Sequence, residues 1–118
     1  MLPKAPRIAN YSFGRITVDG QAHTADLIIL PSRVVPNWWR EEGHNLSVAD
    51  LEAVFEARPE VLVVGTGAND RMDVPQETRD ALAHAGIALI AEPSAEACQS
   101  YNRLCSEKRA AAALHLTC

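Results

Sequence analysis

The chain has 118 residues, a formal net charge of −4 and a hydrophobic fraction of 47%. That length holds one domain with its own core and excludes a two-domain enzyme, while the hydrophobic fraction excludes a disordered tail. The acidic balance, with no Lys/Arg run longer than two residues, excludes the basic stripe that nucleic-acid binding requires. Three cysteines are too few for a secreted disulfide scaffold, and their odd count points to a reducing compartment. No window approaches the ~18 apolar residues of a spanning helix, and Met1 to Arg15 holds no apolar run of signal-peptide length. A cytoplasmic protein without a membrane span is expected, present as a monomer or weak dimer.

A flexible lead-in is expected over residues 1–7, where two prolines fall within the first six positions, and a single domain over residues 8–118. Ile8 to Phe13 and Arg15 to Val18 favour strand, with Gly14 between them, and Asp19-Gly20 is a hairpin turn signal. Ala25 to Leu30 ends in Leu27-Ile28-Ile29-Leu30, apolar on both faces, which predicts a strand entering a buried sheet before Pro31 stops it. Ser47 and Asp50 are spaced as a capping box, and Leu51, Val54 and Phe55 define a buried helical stripe that ends before Pro59. Val61-Leu62-Val63-Val64 predicts a buried strand followed by Gly65-Thr66-Gly67. Pro75 opens a second helix that Gly86 closes, and Ile87 to Ile90 is another buried strand. Ser94 is expected to cap a third helix from Ala95 to about Lys108. Arg109 to Leu116 reads as a final strand or a partly helical tail: Ala110 to Ala113 prefers helix by propensity, while Leu114 and Leu116 alternate with His115 as in a strand. The order gives an α/β fold: one three-layer domain, its central sheet mixed and mostly parallel with flanking helices, and an N-terminal β-hairpin layer.

Two places could carry function. Gly65-Thr66-Gly67 follows a buried strand, where backbone N–H groups can face an anion and where open α/β sheets bind ligands. The dinucleotide fingerprint is incomplete, since its third glycine would fall at Asp70, and no P-loop is present. The plainer reading is a tight turn. Asp70, Asp73 and Glu77 could add carboxylates there, and Arg71 a cation. Trp38-Trp39 is unusual in a chain with 5% aromatics, and exposed tryptophan marks interaction hot spots. On a strand the two would face opposite ways, one into the core and one toward the surface. His44, just after them, either belongs to that surface or supports the following helix. None of the four histidines has a metal-ligand spacing. Cys98 and Cys105, about 10 Å apart on one helix face, are too far apart for a disulfide and read as small buried hydrophobes. Cys118 is expected to be exposed. No nucleophile with a partnered base is evident, so no catalytic residue, cofactor or metal is assigned.

Taken in order, Trp38-Trp39-Arg40, Gly43-His44, Pro59 to Gly67, Gly86-Ile87 and Ala97-Cys98-Gln99-Ser100-Tyr101-Asn102-Arg103-Leu104, with Glu107 and Arg109, resemble one family across Ile8 to Leu116. It is the small α/β family that includes the mitochondrial respiratory complex I assembly factor three and the adipogenesis-associated MTH-type proteins, also filed as domain of unknown function four-nine-eight. Two departures stand out: Glu92-Pro93-Ser94 where relatives tend to have a threonine cap, and Lys108 in place of a usual glycine before Arg109. The resemblance implies a β-hairpin layer beside a mixed sheet flanked by helices, no assigned catalytic residue, and an assembly or regulatory role with a protein partner, as in eukaryotic relatives. It also draws Asn102 and Arg109 toward Gly65, Thr66 and Gly67 as a hypothetical anion pocket. The expected function is therefore a non-enzymatic protein-interaction domain of assembly-factor type, with Trp38, Trp39 and His44 as the surface. The alternative is a small-anion or metabolite-binding protein, conceivably an enzyme, using the Gly-Thr-Gly turn.

Overall fold

Four consecutive alanines occupy the middle of the main sheet. In the computed structural model, which describes residues 5–118, Ala110–His115 (β8) is the third of five strands. The others are Leu27–Leu30 (β4), Arg33–Val35 (β5), Val61–Thr66 (β6) and Ala88–Glu92 (β7), in the order β5-β4-β8-β6-β7. β6 pairs parallel with both β7 and β8, whereas β8–β4 and β4–β5 are antiparallel. The sheet is thus mixed, with a parallel half and an antiparallel edge. A second sheet is formed by Ile8–Ser12 (β1), Arg15–Val18 (β2) and Gln21–His23 (β3), all antiparallel. The expected hairpin layer therefore gains a third strand across the Asp19-Gly20 turn, where both residues have positive φ.

Strand alternation divides the interior into two cores. Leu27, Ile29, Val61, Val63, Ala110, Ala112 and Leu114 face one side, against the small sheet and the helix Ser94–Leu104 (α3). Ile28, Leu30, Leu62, Val64, Ala111 and Ala113 face the other, against the helices Glu52–Ala57 (α1) and Gln76–His84 (α2). A strand buried on both faces can be apolar throughout, which is why β4, β6 and β8 lack polar alternation. Alanine at the centre lets the layers on both faces approach the sheet, and that packing overrides the helical propensity of the run. Tyr101 fills the first core, fully buried, with its hydroxyl donating to the Pro6 carbonyl at 2.6 Å.

Several local expectations change. Pro31 does stop β4, but the chain turns at Pro31-Ser32 and returns as the unexpected strand β5, which the flanking Pro31 and Pro36 hid by leaving only three residues between turn signals. Asp50 closes its half of the capping box, its carboxylate accepting the Ser47 N–H at 2.9 Å, while the Asp50 N–H goes to the Ser47 carbonyl and not to its hydroxyl; the box opens a 3-10 turn over Val48–Leu51 before α1 begins. α3 starts at Ser94 and ends at Leu104, and Ser94 does not cap it. Its hydroxyl donates to the His115 carbonyl and accepts from the Gly67 N–H at 2.9 Å, tying β8 to the end of β6. Part of the expected flexible lead-in, residues 1–4, lies outside the described residues. Arg7 is bonded, exchanging backbone and side-chain hydrogen bonds with Asp19 at 2.9 Å, and Pro6 is held by Tyr101.

Candidate functional site

The Gly-Thr-Gly segment ends β6 beside residues Thr117 and Cys118. Gly67 has φ +103°, and a Cβ there would lie 2.4 Å from the Cys118 carbonyl group, so glycine is required for this close approach. The amides around the turn are already engaged. Gly67 N–H donates to Ser94 Oγ, Ala68 N–H to the Thr117 carbonyl at 2.6 Å, and Arg71 N–H to the Cys118 carbonyl at 3.2 Å. Asp70 N–H returns to the Gly67 carbonyl. An anion would find these donors taken by the chain itself. Thr66 hydrogen-bonds Asp70, and both line an open cleft of about 560 Å³ with Asn45, Met72, Asp73 and Arg79.

The other two residues of the expected pocket do not converge on the turn. Arg109 precedes β8, and its register partner region is the start of β6, where Val61 faces Ala110. Gly65 faces Leu114, five residues farther along, so Arg109 stands roughly 17 Å away at the opposite end of the strands. There its guanidinium donates to the Ala57 carbonyl at 2.7 Å and its N–H to the Glu60 carboxylate at 2.8 Å. Asn102 lies on α3, where its amide accepts from Ile8 N–H at 3.0 Å and donates to the Ile8 carbonyl at 2.6 Å. Both residues serve backbone that would otherwise be unsatisfied. Parallel order, invisible in spacing, separated them.

The tryptophan pair sits on the loop between β5 and the 3-10 turn, not on a strand. Trp38 is buried, with its indole N–H donating to the Asp50 carbonyl at 3.0 Å; Trp39 is 85% exposed. Trp38 therefore leaves the expected surface and becomes the anchor of the loop that presents Trp39. Arg40 completes the anchor. Its guanidinium lies 4.8 Å from the centre of the Trp38 ring, pairs with Asp26 at 2.9 Å, and donates to the Gly43 carbonyl at 3.0 Å.

Asp26, just ahead of β4, gathers three groups. Oδ2 takes Arg40 and His115 Nδ1, the latter at 2.8 Å, and Oδ1 accepts the Leu116 N–H at 2.8 Å. A carboxylate only accepts, so the proton between Asp26 and His115 resides on Nδ1, and the Arg40 nitrogen 3.1 Å from that atom is an electrostatic neighbour. Burial alone would raise the Asp26 carboxyl. The hydrogen bonds from Leu116, His115 and Arg40 outweigh it and hold the group below its ordinary value. His115 is buried, its Nε2 has no hydrogen-bond partner among the described residues, and the exposed His44 ring meets it edge-on at 5.7 Å. Asp26 and Arg40 were missed as site residues. Only the Trp-Trp-Arg run signalled Arg40, and nothing in spacing joins positions 26, 40 and 115.

Two of the three cysteines are shielded in this arrangement. Cys98 is buried and its thiol is pushed up to about 12 by desolvation, Cys105 is buried, and Cys118 is half-buried. Among the described residues no cluster of three or more metal-ligating side chains occurs, and no helix is long and apolar enough to cross a membrane.

Comparison with known proteins gives the family and the fold. The chain is 32% identical over 110 residues to the mouse NADH dehydrogenase [ubiquinone] 1 alpha subcomplex assembly factor 3, an alignment covering 91% of this chain and 58% of the mouse protein. The chain thus spans little more than half the length of that relative. A crystal structure of a conserved hypothetical protein from Pyrococcus horikoshii superposes with a TM-score of 0.81 at 26% identity, over 95% of this chain and 99% of the other. The solution structure of a Mth938-like domain from Bordetella pertussis shares the fold, with a TM-score of 0.74 at 23% identity over 94% of this chain and 85% of that one. The model of the protein family of unknown function DUF498/DUF598 matches residues 8–115, and the chain belongs to that family.

Proposed function

We propose that this domain is a protein-interaction module of the assembly-factor type, and that it engages its partner through the loop bearing Trp39. The observation that carries the reading is an indole 85% exposed on a loop fixed at both sides. Trp38 N–H donates to the Asp26 carbonyl at 2.8 Å, Glu41 N–H to the Asp50 carboxylate at 3.0 Å, and Arg40 is clamped by Asp26. A side chain presented this way loses little freedom on binding, which is where aromatic hot spots gain their affinity. Phe13, 62% exposed, stands at the same end of the molecule. The next residue, Gly14, donates its N–H to the Leu116 carbonyl, one position beyond the His115 that Arg40 touches. The names of the curated relatives support a partner within a respiratory assembly.

The test is affinity purification at chromosomal expression of the wild type and Trp39→Ala, with melting temperatures measured in parallel. A defined partner set that weakens at least about tenfold in a variant of unchanged stability is expected. Equal capture with and without Trp39, or no specific partner, overturns the reading. A second reading is favoured by the cleft beside Thr66, whose lining of Asp70, Asp73, Asn45 and Arg79 suits a small polar metabolite. A ligand-dependent rise in melting temperature, abolished by Asp70→Asn, would move the function there.

A further inference from the structure

We propose that β7 is an open docking edge and that its occupant is the β7 strand of a second copy of this chain, running antiparallel across a two-fold axis. Every other sheet edge carries a blocking device. β1 has a bulge between Ile8 and Asn10, and the Asn102 amide covers both backbone groups of Ile8. β3 and β5 have three residues each, the latter led by the exposed Arg33 and flanked by Pro31 and Pro36. Such devices prevent strand addition. β7, with the sequence Ala88-Leu89-Ile90-Ala91-Glu92, has five residues, no proline, no lysine and no bulge.

Its backbone is arranged to receive a strand. Ala88 N–H donates to the Glu60 carbonyl of the β6 side at 3.0 Å, so Ala88, Ile90 and Glu92 turn their backbone groups inward. By strand alternation Leu89 and Ala91 turn theirs outward, and among the described residues nothing bonds them. An antiparallel copy centred on Ile90 places Leu89 against Ala91 of the second copy, and the reverse. These become the hydrogen-bonded pairs, and they complete four ladder bonds with a large residue beside a small one each time. Ile90 meets its own copy as the close, non-hydrogen-bonded pair. Ala88, exposed, falls opposite Glu92. Glu92 is held onto α3 by the Ser100 hydroxyl at 2.6 Å, so its carboxylate is directed along its own helix and meets an uncharged neighbour across the axis. The strand is self-complementary, as a two-fold interface requires. β7 lies at the opposite edge of the sheet from β5, and none of its residues bonds the Trp39 loop, whose ties run to Asp26, Asp50 and His115.

Sedimentation equilibrium of the full chain tests the register as well as the contact. The wild type is expected to show reversible monomer–dimer exchange. Ala88→Glu, which faces Glu92 of the other copy twice per dimer, should weaken association about three- to tenfold, and Ala88→Lys should strengthen it by a similar factor. Ala91→Pro removes an outward N–H without touching the β6 ladder and should leave monomer only. A wild type that stays monomeric at the highest attainable concentration overturns the proposal, as does a dimer that responds alike to Ala88→Glu and Ala88→Lys. If Ala91→Pro fails to fold, the opposed responses at Ala88 still decide.

Discussion

Asp26 ties the loop after β5 to the end of β8, parts of the chain far apart in sequence. Through two oxygens it holds the loop at Arg40, the ring of His115 and the backbone of Leu116. Arg40 is almost wholly buried at its side chain, 5% exposed, so removing the charge opposite it leaves a cation without compensation. Asp26→Asn is expected to cost about 2–4 kcal/mol at pH 7, read from chemical unfolding. The sign of its pH dependence follows from the lowered carboxyl. The stabilisation is fully present above the unfolded value near ~3.9 and is lost as pH falls through the folded one. The gap between wild type and variant should therefore narrow below about pH 4; a gap that stays constant from pH 7 into that range would sink the assignment. Trp38 and Trp39 make the complementary point. Adjacent residues of one type do opposite work, one anchoring and one presenting, and the loop that separates their directions is set by Asp26 and Asp50.

At the scale of elements, β8 shows packing winning over propensity. Ala112 has Ile29 on one side and Val63 on the other, and no accessible surface. Valine is the better strand former, so a sheet governed by propensity would gain up to ~1 kcal/mol from Ala112→Val. Overpacking between the sheet and α3 should instead cost about 1–3 kcal/mol. Denaturant melts of the two proteins give the sign directly. Most elements were legible because apolar runs bounded by proline and glycine announce buried strands: Leu27 to Leu30 is the whole of β4, and Val61 to Val64 opens β6. β5 was hidden by its length. Ser94 has the right identity for a helix cap, yet its hydroxyl is taken by His115 and Gly67, a contact set by how β6 and β8 lie together. The Asp26–Arg40–His115 cluster was illegible for the same reason: His115 and Asp26 are 89 residues apart, and only sheet order brings them into contact. That order also explains why Gly65 and Arg109, joined by the family resemblance, face opposite ends.

For the molecule as a whole, the two faces of the sheet bury two separate cores, and the cysteines report on one of them. Cys98 and Cys105 belong to the core beneath the small sheet and α3, with Cys98 held protonated by desolvation. A thiol reagent at neutral pH should therefore modify one fast-reacting cysteine, Cys118, while the other two react only when that layer opens. Mass spectrometry of partially labelled protein distinguishes the sites, and rapid native labelling of Cys98 would show that the layer is open in solution. The position of β8 has a further consequence for how the protein is made. The strand at the centre of the sheet follows in the chain both strands it joins, so during synthesis β4 and β6 exist before anything can lie between them. A nascent chain carries two apolar strands with unfilled inner edges until the Ala110–His115 segment leaves the ribosome. Until then those edges stand unpaired, and sheet closure over such long separations is expected to be the slow step of folding, which refolding kinetics would read.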